Sequence, residues 1–188
     1  MIEALKLRRS VYRIGKAMPV SEAEAVRLIE EATALVPDAF DMKSQRVVVA
    51  LGERHDRLWD AIYDAFGGKV AREKIDGFKA GYGTVLYFCD ADVVKSLQAQ
   101  YAPYADNFPI WAQQANGMLQ LAVWSALAKA GVGANIQHYN PVIDSAVRRL
   151  FDLPENWVMV AQMPFGGIVE SPAPKAAEDI SRRVRIFR

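Results

Sequence analysis

Arg8, Arg9 and Ser10 put two guanidiniums and a hydroxyl into three successive residues. That trio suits an oxyanion, because a planar guanidinium fork donates in pairs to phosphate or carboxylate oxygens. Near the other end, Arg183 and Arg185 sit in a segment, 182–188, that alternates basic with apolar side chains. Asp41, Lys43 and Arg46 belong to a polar loop, 37–46, that enters the apolar run 47–51. Loops entering a packed strand commonly carry functional groups, although solvated charges are the usual reading of such residues. Gln137 and His138 follow a long apolar segment and a short stretch, 134–137, that leaves the core. They are placed to border a ligand.

Other chemistries are poorly served. His55, His138 and Cys89 are the only nitrogen and sulfur ligand candidates, and no two stand at metal-ligand spacing. Cys89 closes the apolar run 85–89 and is expected to be a buried, inert thiol. No serine lies in a Gly-x-Ser-x-Gly elbow. Gly131-x-Gly133 begins a dinucleotide fingerprint, but Ile136 stands where the third glycine belongs, and the motif follows a helix instead of a strand. With no set of acid, base and nucleophile, the chain fits a protein that borrows its chemistry from a cofactor.

The 188 residues fit one domain, 1–188, with ample material for a core. A composition of 52% hydrophobic and 24% charged residues argues against disorder. The net charge of +1 gives no global field for nucleic acid. The apolar stretch 118–130 falls short of the roughly 20 residues a membrane crossing requires. Arg8-Arg9 is not followed by the apolar stretch and cleavage site of an export signal. A cytoplasmic protein is expected.

The elements that must position these residues follow from periodicity. Residues 2–7 form a short helix with Ile2, Ala4 and Leu5 inward. Ser21-Glu-Ala-Glu24 has capping-box spacing and opens a helix that Pro37 stops. Residues 47–51, Val-Val-Val-Ala-Leu, are apolar and rich in β-branching, and predict a fully buried strand. A helix follows over 55–66, then a more polar one over 69–76, a flexible stretch over 77–83 and a buried strand over 84–89. Asp92 is expected to cap a helix ending near Tyr101. The aromatic and proline-rich loop 101–108 is a packed connection or a lid.

The segment 118–130 is apolar on nearly all sides, which predicts a helix that other elements surround. Asn107 would cap its start, with Pro109 in the first turn, and Gly131 would end it in the left-handed conformation. Pro141 opens a helix with Ile143, Ala146, Val147, Leu150 and Phe151 inward. Residues 157–163 are a strand ended by Pro164-Phe-Gly-Gly167. A proline-containing linker, 171–174, precedes the basic tail, whose alternation fits a strand that need not pair within its own subunit.

In order and spacing these pieces resemble the FMN-dependent nitroreductase family. Arg8-Arg9-Ser10 after a short helix is similar to its Arg-x-Ser entry, and 37–51 to its second flavin loop and strand. Residues 78–84, Phe-Lys-Ala-Gly-Tyr-Gly-Thr, and 137–141, Gln-His-Tyr-Asn-Pro, are particularly similar to the branch named for fatty-acid-repression mutants. The resemblance spans essentially the whole chain.

It implies an α+β fold, a central mixed sheet flanked by helices, with the C-terminal strand exchanged in a homodimer and FMN at the subunit interface. By position, Arg8, Ser10, Arg183 and Arg185 would meet at the FMN phosphate, with Arg9 at the ribityl chain or phosphate. Asp41 and Lys43 would lie by the pyrimidine edge and ribityl chain, and Gln137 and His138 beside the ring near N5. The chain departs from the family at Asp41, Met42 and Lys43, where Asn, Ser and Gln are common. The implied activity takes hydride from NADH or NADPH and passes electrons to a nitroaromatic or quinone-like acceptor by a ping-pong course. The alternatives are a flavin-binding regulatory or sensing protein with little turnover, and a scaffold without flavin. Neither a nucleic-acid nor a membrane partner is implied.

Overall fold

The computed structural model describes residues 1–188. In chain order the elements are α1 (Ile2–Leu7), β1 (Ile14–Gly15), α2 (Glu22–Leu35), β2 (Gln45–Leu51), α3 (Gly52–Ala65), α4 (Arg72–Lys79), β3 (Gly83–Asp90), α5 (Ala91–Gln100), α6 (Phe108–Lys129), β4 (Val132–Ala134), α7 (Asp144–Phe151) and β5 (Trp157–Ile168). Short 3-10 turns occupy Ala39–Asp41, Ala102–Asn107 and Ile180–Arg182.

The sheet runs β1-β5-β3-β2, with β4 also on β5. Every ladder is antiparallel, and the parallel component is confined to an isolated bridge between Ser10 and Ala134. Helices cover both faces. Val85 and Tyr87 of β3 pack with Leu119, Val123 and Leu127 of α6 and Ile29 of α2. Leu86 and Phe88, pointing the other way along the same strand, pack with Trp59 and Ile62 of α3 and Val147 of α7. β3 is therefore buried at all eight residues, as period-two alternation between two covered faces requires.

Several local expectations hold. Ser21 caps α2 by accepting from Glu24 N–H at 3.2 Å, although the Glu24 carboxylate turns to Arg27 and leaves the box half made. Gly131 takes φ 78° just after α6, a conformation that costs glycine nothing. Cys89 is buried.

Others change. Strand β2 is an edge strand with only one neighbour, so most of its residues are half-buried instead of enclosed. β5 does not stop at Pro164 but continues to Ile168. The proline's carbonyl takes Asn135 N–H at 3.3 Å, beyond the end of β4. Its backbone therefore faces Asn135 and not β3, so the missing donor interrupts the short β4 ladder between Ala134 and Gln137 and takes nothing from the long ladder with β3. Gly166 and Gly167 then allow the close approach of β1 and the chain after it. Asp90, not Asp92, caps α5, accepting from the N–H groups of Asp92 and Val93. Residues 77–79, expected to be flexible, finish α4. Asn107 precedes α6 without a side-chain cap bond. Pro141 lies in a turn ahead of α7, its peptide bond to Asn140 being cis. Ile2 is 64% exposed and α1 has no buried residue. The tail beyond Arg182 forms no strand within the chain.

Helix α6 is the largest departure. One face is fully enclosed, but Ile110, Met118 and Leu121 stay exposed at 55%, 45% and 43%. They lie along one stripe, and between them Gly117 opens onto unoccupied space. Within one chain, nothing surrounds this side of the helix.

Candidate active site

The Ser10 segment is built into the sheet. Ser10 bridges Ala134, the last residue of β4, and Val11 N–H donates to Ala134 O at 2.9 Å. Asn135, fully buried, donates from Nδ2 to Val11 O at 2.8 Å and accepts from Gln137 Nε2 at 2.7 Å. Gln137 exchanges both backbone hydrogen bonds with Gln162 of β5, at 2.7 and 2.9 Å. Gln162 in turn accepts Tyr139 N–H at 2.8 Å. Residues 8–11 and 135–139, far apart in sequence, thus share one frame at the end of β4. His138 is exposed beside it.

Arg8, just past α1, lies over the indole of Trp124 on α6, 4.2 Å from the ring centroid. Burial, and then the charge of the adjacent Arg9, lower its pKa from the usual guanidinium value. No carboxylate pairs with Arg8 or Arg9. Arg9 donates instead to the Ala173 carbonyl at 2.7 Å. Trp124 Nε1 and Ser125 Oγ are enclosed and hydrogen-bonded to nothing in the chain. Two cations without a carboxylate partner and a hydroxyl, in successive residues, form a set matched to an anion with several oxygens.

The Asp41 loop lies elsewhere. Phe40, Asp41 and Lys43 have φ of 58°, 49° and 49°, uncommon for residues with a side chain. Packing sustains the strain. Phe40 stacks on Trp111 at 5.7 Å and packs against Tyr101 at 4.9 Å and Phe108 at 5.2 Å. Arg46 donates to Lys43 O at 2.7 Å and pairs with Asp90 at 2.8 Å, so it braces the loop and is not free for a ligand. Asp38 Oδ2 accepts from Ser44 N–H and Oγ–H, both at 3.3 Å. Lys43 pairs with Asp41 at 2.9 Å, both largely exposed. The aromatic stretch 101–108, expected as a connection or a lid, is the wall against which this loop packs.

Trp111 and Trp124 mark two ends of α6, about 20 Å apart at roughly 1.5 Å per residue. One chain therefore does not bring Asp41 and Lys43 to Arg8, Ser10 and Gln137. Nor does it bring the tail arginines: Arg183 pairs with Glu178 at 2.9 Å, and Arg185 is exposed with no partner. One cleft, of about 590 Å³, lies between α3 and α7, and another, of about 430 Å³, lies beside Phe40–Met42. Neither touches Arg8, Ser10 or Gln137. Asn135 and Trp124 were not among the residues singled out by sequence. An asparagine two residues before Gln137 was the available signal for the first; the second was hidden among apolar neighbours.

The pattern of the Nitroreductase family matches residues 5–167. The chain belongs to the nitroreductase family. It is therefore a flavin oxidoreductase. The nitroreductase FRM2 of Saccharomyces cerevisiae is 29% identical over 189 residues, 99% of this chain and 96% of the relative. That similarity places the chain with the fatty-acid-repression-mutant branch. The nitroreductase CinD from Lactococcus lactis, solved in complex with chloramphenicol, is 40% identical and superposes with a TM-score of 0.95 over 100% of this chain and 99% of that one. A nitroreductase-fold protein of Exiguobacterium sibiricum, solved with FMN, is 15% identical at a TM-score of 0.75, covering 99% of this chain and 96% of that one, and so shares the fold. No helix of the chain is long and apolar enough to cross a membrane.

Proposed function

We propose that this nitroreductase is an FMN-dependent NAD(P)H oxidoreductase, working as a homodimer with nitroaromatic or quinone-like acceptors. The observation that carries the cofactor is the uncompensated donor set of Arg8, Arg9 and Ser10 beside Trp124. It fits the FMN phosphate, which carries close to two negative charges. Arg183 and Arg185 would add to it once released from the exposed tail, whose only ion pair is the solvent-facing one to Glu178. When bound, FMN supplies the chemistry, accepting hydride from NADH or NADPH and passing electrons to the acceptor. Gln137 and His138 border it, and Asp41 and Lys43 approach from the partner's loop. The 40% identical CinD, solved with chloramphenicol and with 4-nitrophenol, favours nitroaromatic acceptors.

The dimer is supported by the exposed stripe of α6 and by the open edge of β2. An apolar stripe on a central helix is covered at little cost by its own copy about a two-fold axis. The alternating tail, 182–188, has a pattern suited to a free sheet edge.

The test is direct. Protein reconstituted with FMN should carry flavin absorbance through a sizing column. It should oxidise NADH or NADPH when a nitroaromatic or a quinone is added, with parallel double-reciprocal lines. Flavin that elutes apart from the protein would overturn the cofactor reading. Tight flavin binding without turnover would assign a sensing role instead.

A further inference from the structure

We propose that Asn135 is a positioning residue that locks the polarity of the Gln137 side chain, so that Gln137 offers its carbonyl oxygen as a hydrogen-bond acceptor to an N–H group of the bound cofactor. The cofactor's share in this rests on the flavin reading above; the lock itself does not.

Val11 O can only accept, so the Asn135 side chain must turn its Nδ2 toward it, as it does at 2.8 Å. That orientation fixes Oδ1 on the opposite side. An amide oxygen can only accept as well, so Gln137 must present its Nε2 there, at 2.7 Å. The Gln137 Oε1 is then left with no partner in the chain. Flipping Gln137 would set two oxygens against each other. Flipping Asn135 to relieve this would set its Oδ1 against Val11 O. Asn135 is fully buried, so no water compensates either mismatch, and an unmade buried bond costs more than a made one contributes.

The backbone is held as firmly as the side chain. Gln137 is paired in both directions with Gln162, and Val11 N–H is bound to Ala134 O. The relay therefore runs from the residue after Ser10, through Asn135, to the half-exposed amide of Gln137. A polarity set at a backbone carbonyl emerges at the edge of the cofactor site as an acceptor. Its complement is a ligand edge that carries an N–H.

Two measurements separate the lock from its use. In protein without flavin, the Gln137 side-chain amide should show one hydrogen displaced downfield and slow to exchange, and Asn135→Ala should abolish both features. A Gln137 amide that exchanges at the rate of a solvated side chain in the parent protein would overturn the lock. This reading needs no variant, which matters if Asn135→Ala folds poorly. FMN binding is then measured for Asn135→Ala, Gln137→Ala and the double variant. If Asn135 acts through Gln137, its removal weakens FMN about tenfold in the parent background, the scale of a single hydrogen bond. In the Gln137→Ala background it weakens FMN by less than about twofold, because the coupling is gone. Equal factors in both backgrounds would show a merely structural role and overturn the proposal. A parent protein with a locked amide but no saturable FMN binding would overturn the flavin reading and, with it, the acceptor role.

Discussion

The guanidinium of Arg8 lies 4.2 Å from the centroid of the Trp124 indole, joining the end of α1 to the far part of α6. A partly desolvated stack of this kind contributes about 0.5–2 kcal/mol. It also holds the guanidinium fork in place before any anion arrives. Arg8→Ala should weaken FMN binding more than tenfold, since a hydrogen bond to a charged group contributes about 1.5–3 kcal/mol. Trp124→Leu keeps the charge and loses the platform, so it should weaken binding by a smaller factor, about three- to tenfold. Flavin fluorescence titrations give both numbers. Parental affinity in Trp124→Leu would show that the stack does not prepare Arg8.

Lys43 and Asp41 form a second informative pair. Their side chains meet at 2.9 Å while both stay largely exposed. If the partner's Lys43 stabilises reduced flavin, Asp41 offsets part of that effect. Lys43→Met should then lower the flavin reduction potential, and Asp41→Asn should raise it. The scale is tens of millivolts, about 30 mV per 1.4 kcal/mol for a two-electron couple. Potentials measured on FMN-saturated variants check this. Shifts of the same sign in both would rule out a shared electrostatic cause.

Legibility in the sequence followed locality. The Ser21 cap, the left-handed Gly131 and the buried run of β3 are set by neighbouring residues and could be found from spacing alone. The rank of β2 could not, because an edge strand and a central strand have the same β-branched pattern and differ only in what pairs beside them. Pro164 reads as a strand breaker, yet it is tolerated because its backbone faces Asn135 and takes no donor from the long ladder with β3. The loop at Phe40 has no glycine to announce its positive φ values; long-range aromatic packing imposes them. The expected grouping of Arg8 and Ser10 with Gln137 and His138 agrees with the backbone frame that their two segments share. Asp41, Lys43, Arg183 and Arg185, expected at the same place, are left apart from it within one chain. Asn135 stayed hidden because its part depends on a carbonyl more than a hundred residues away.

His55 sets a pH dependence. Its ring is fully buried. Its Nε2 lies 3.1 Å from the Lys79 carbonyl, which can only accept, so Nε2 carries the hydrogen. Nδ1 then accepts the Thr84 hydroxyl at 2.9 Å, and that hydroxyl's oxygen takes the Trp59 indole N–H at 2.9 Å. Burial first, and then the charge of Lys16, push the pKa down from 6.5 to about 4. Between these values the unfolded chain binds a proton that the folded chain refuses, so stability falls as pH drops. The contribution is complete above the unfolded value and is lost on going down to about pH 4, roughly 3 kcal/mol in all. Urea unfolding should show about 2 kcal/mol less stability at pH 5 than at pH 7 from this residue. His55→Gln should remove that difference, and an unchanged pH slope in the variant would exclude His55 as its source.

The exposed stripe of α6 and the unpaired tail make a joint prediction about assembly. Leu121 is 43% exposed and Met118 45% exposed on a helix whose opposite face is packed into the core. If a second copy covers them, Leu121→Lys buries an unpaired charge in the interface, and sedimentation should show monomers at concentrations where the parent is dimeric. The tail acts differently. Val184 and Ile186, exposed at 52% and 74%, alternate with Arg183 and Arg185. A strand laid on the open edge of the partner's β2 would bury the apolar pair and aim the arginines toward one side. Arg183→Ala with Arg185→Ala should weaken FMN binding by well over tenfold, at about 1.5–3 kcal/mol for each charged hydrogen bond removed, and leave the dimer intact. Removing the chain after Ser181 should weaken both FMN binding and dimerisation. Each variant is measured by flavin titration and by sedimentation. A truncated protein that stays dimeric and holds FMN as tightly as its parent would show that the tail serves neither role. Loss of the dimer in the double arginine variant would instead tie the arginines to assembly and not to the phosphate.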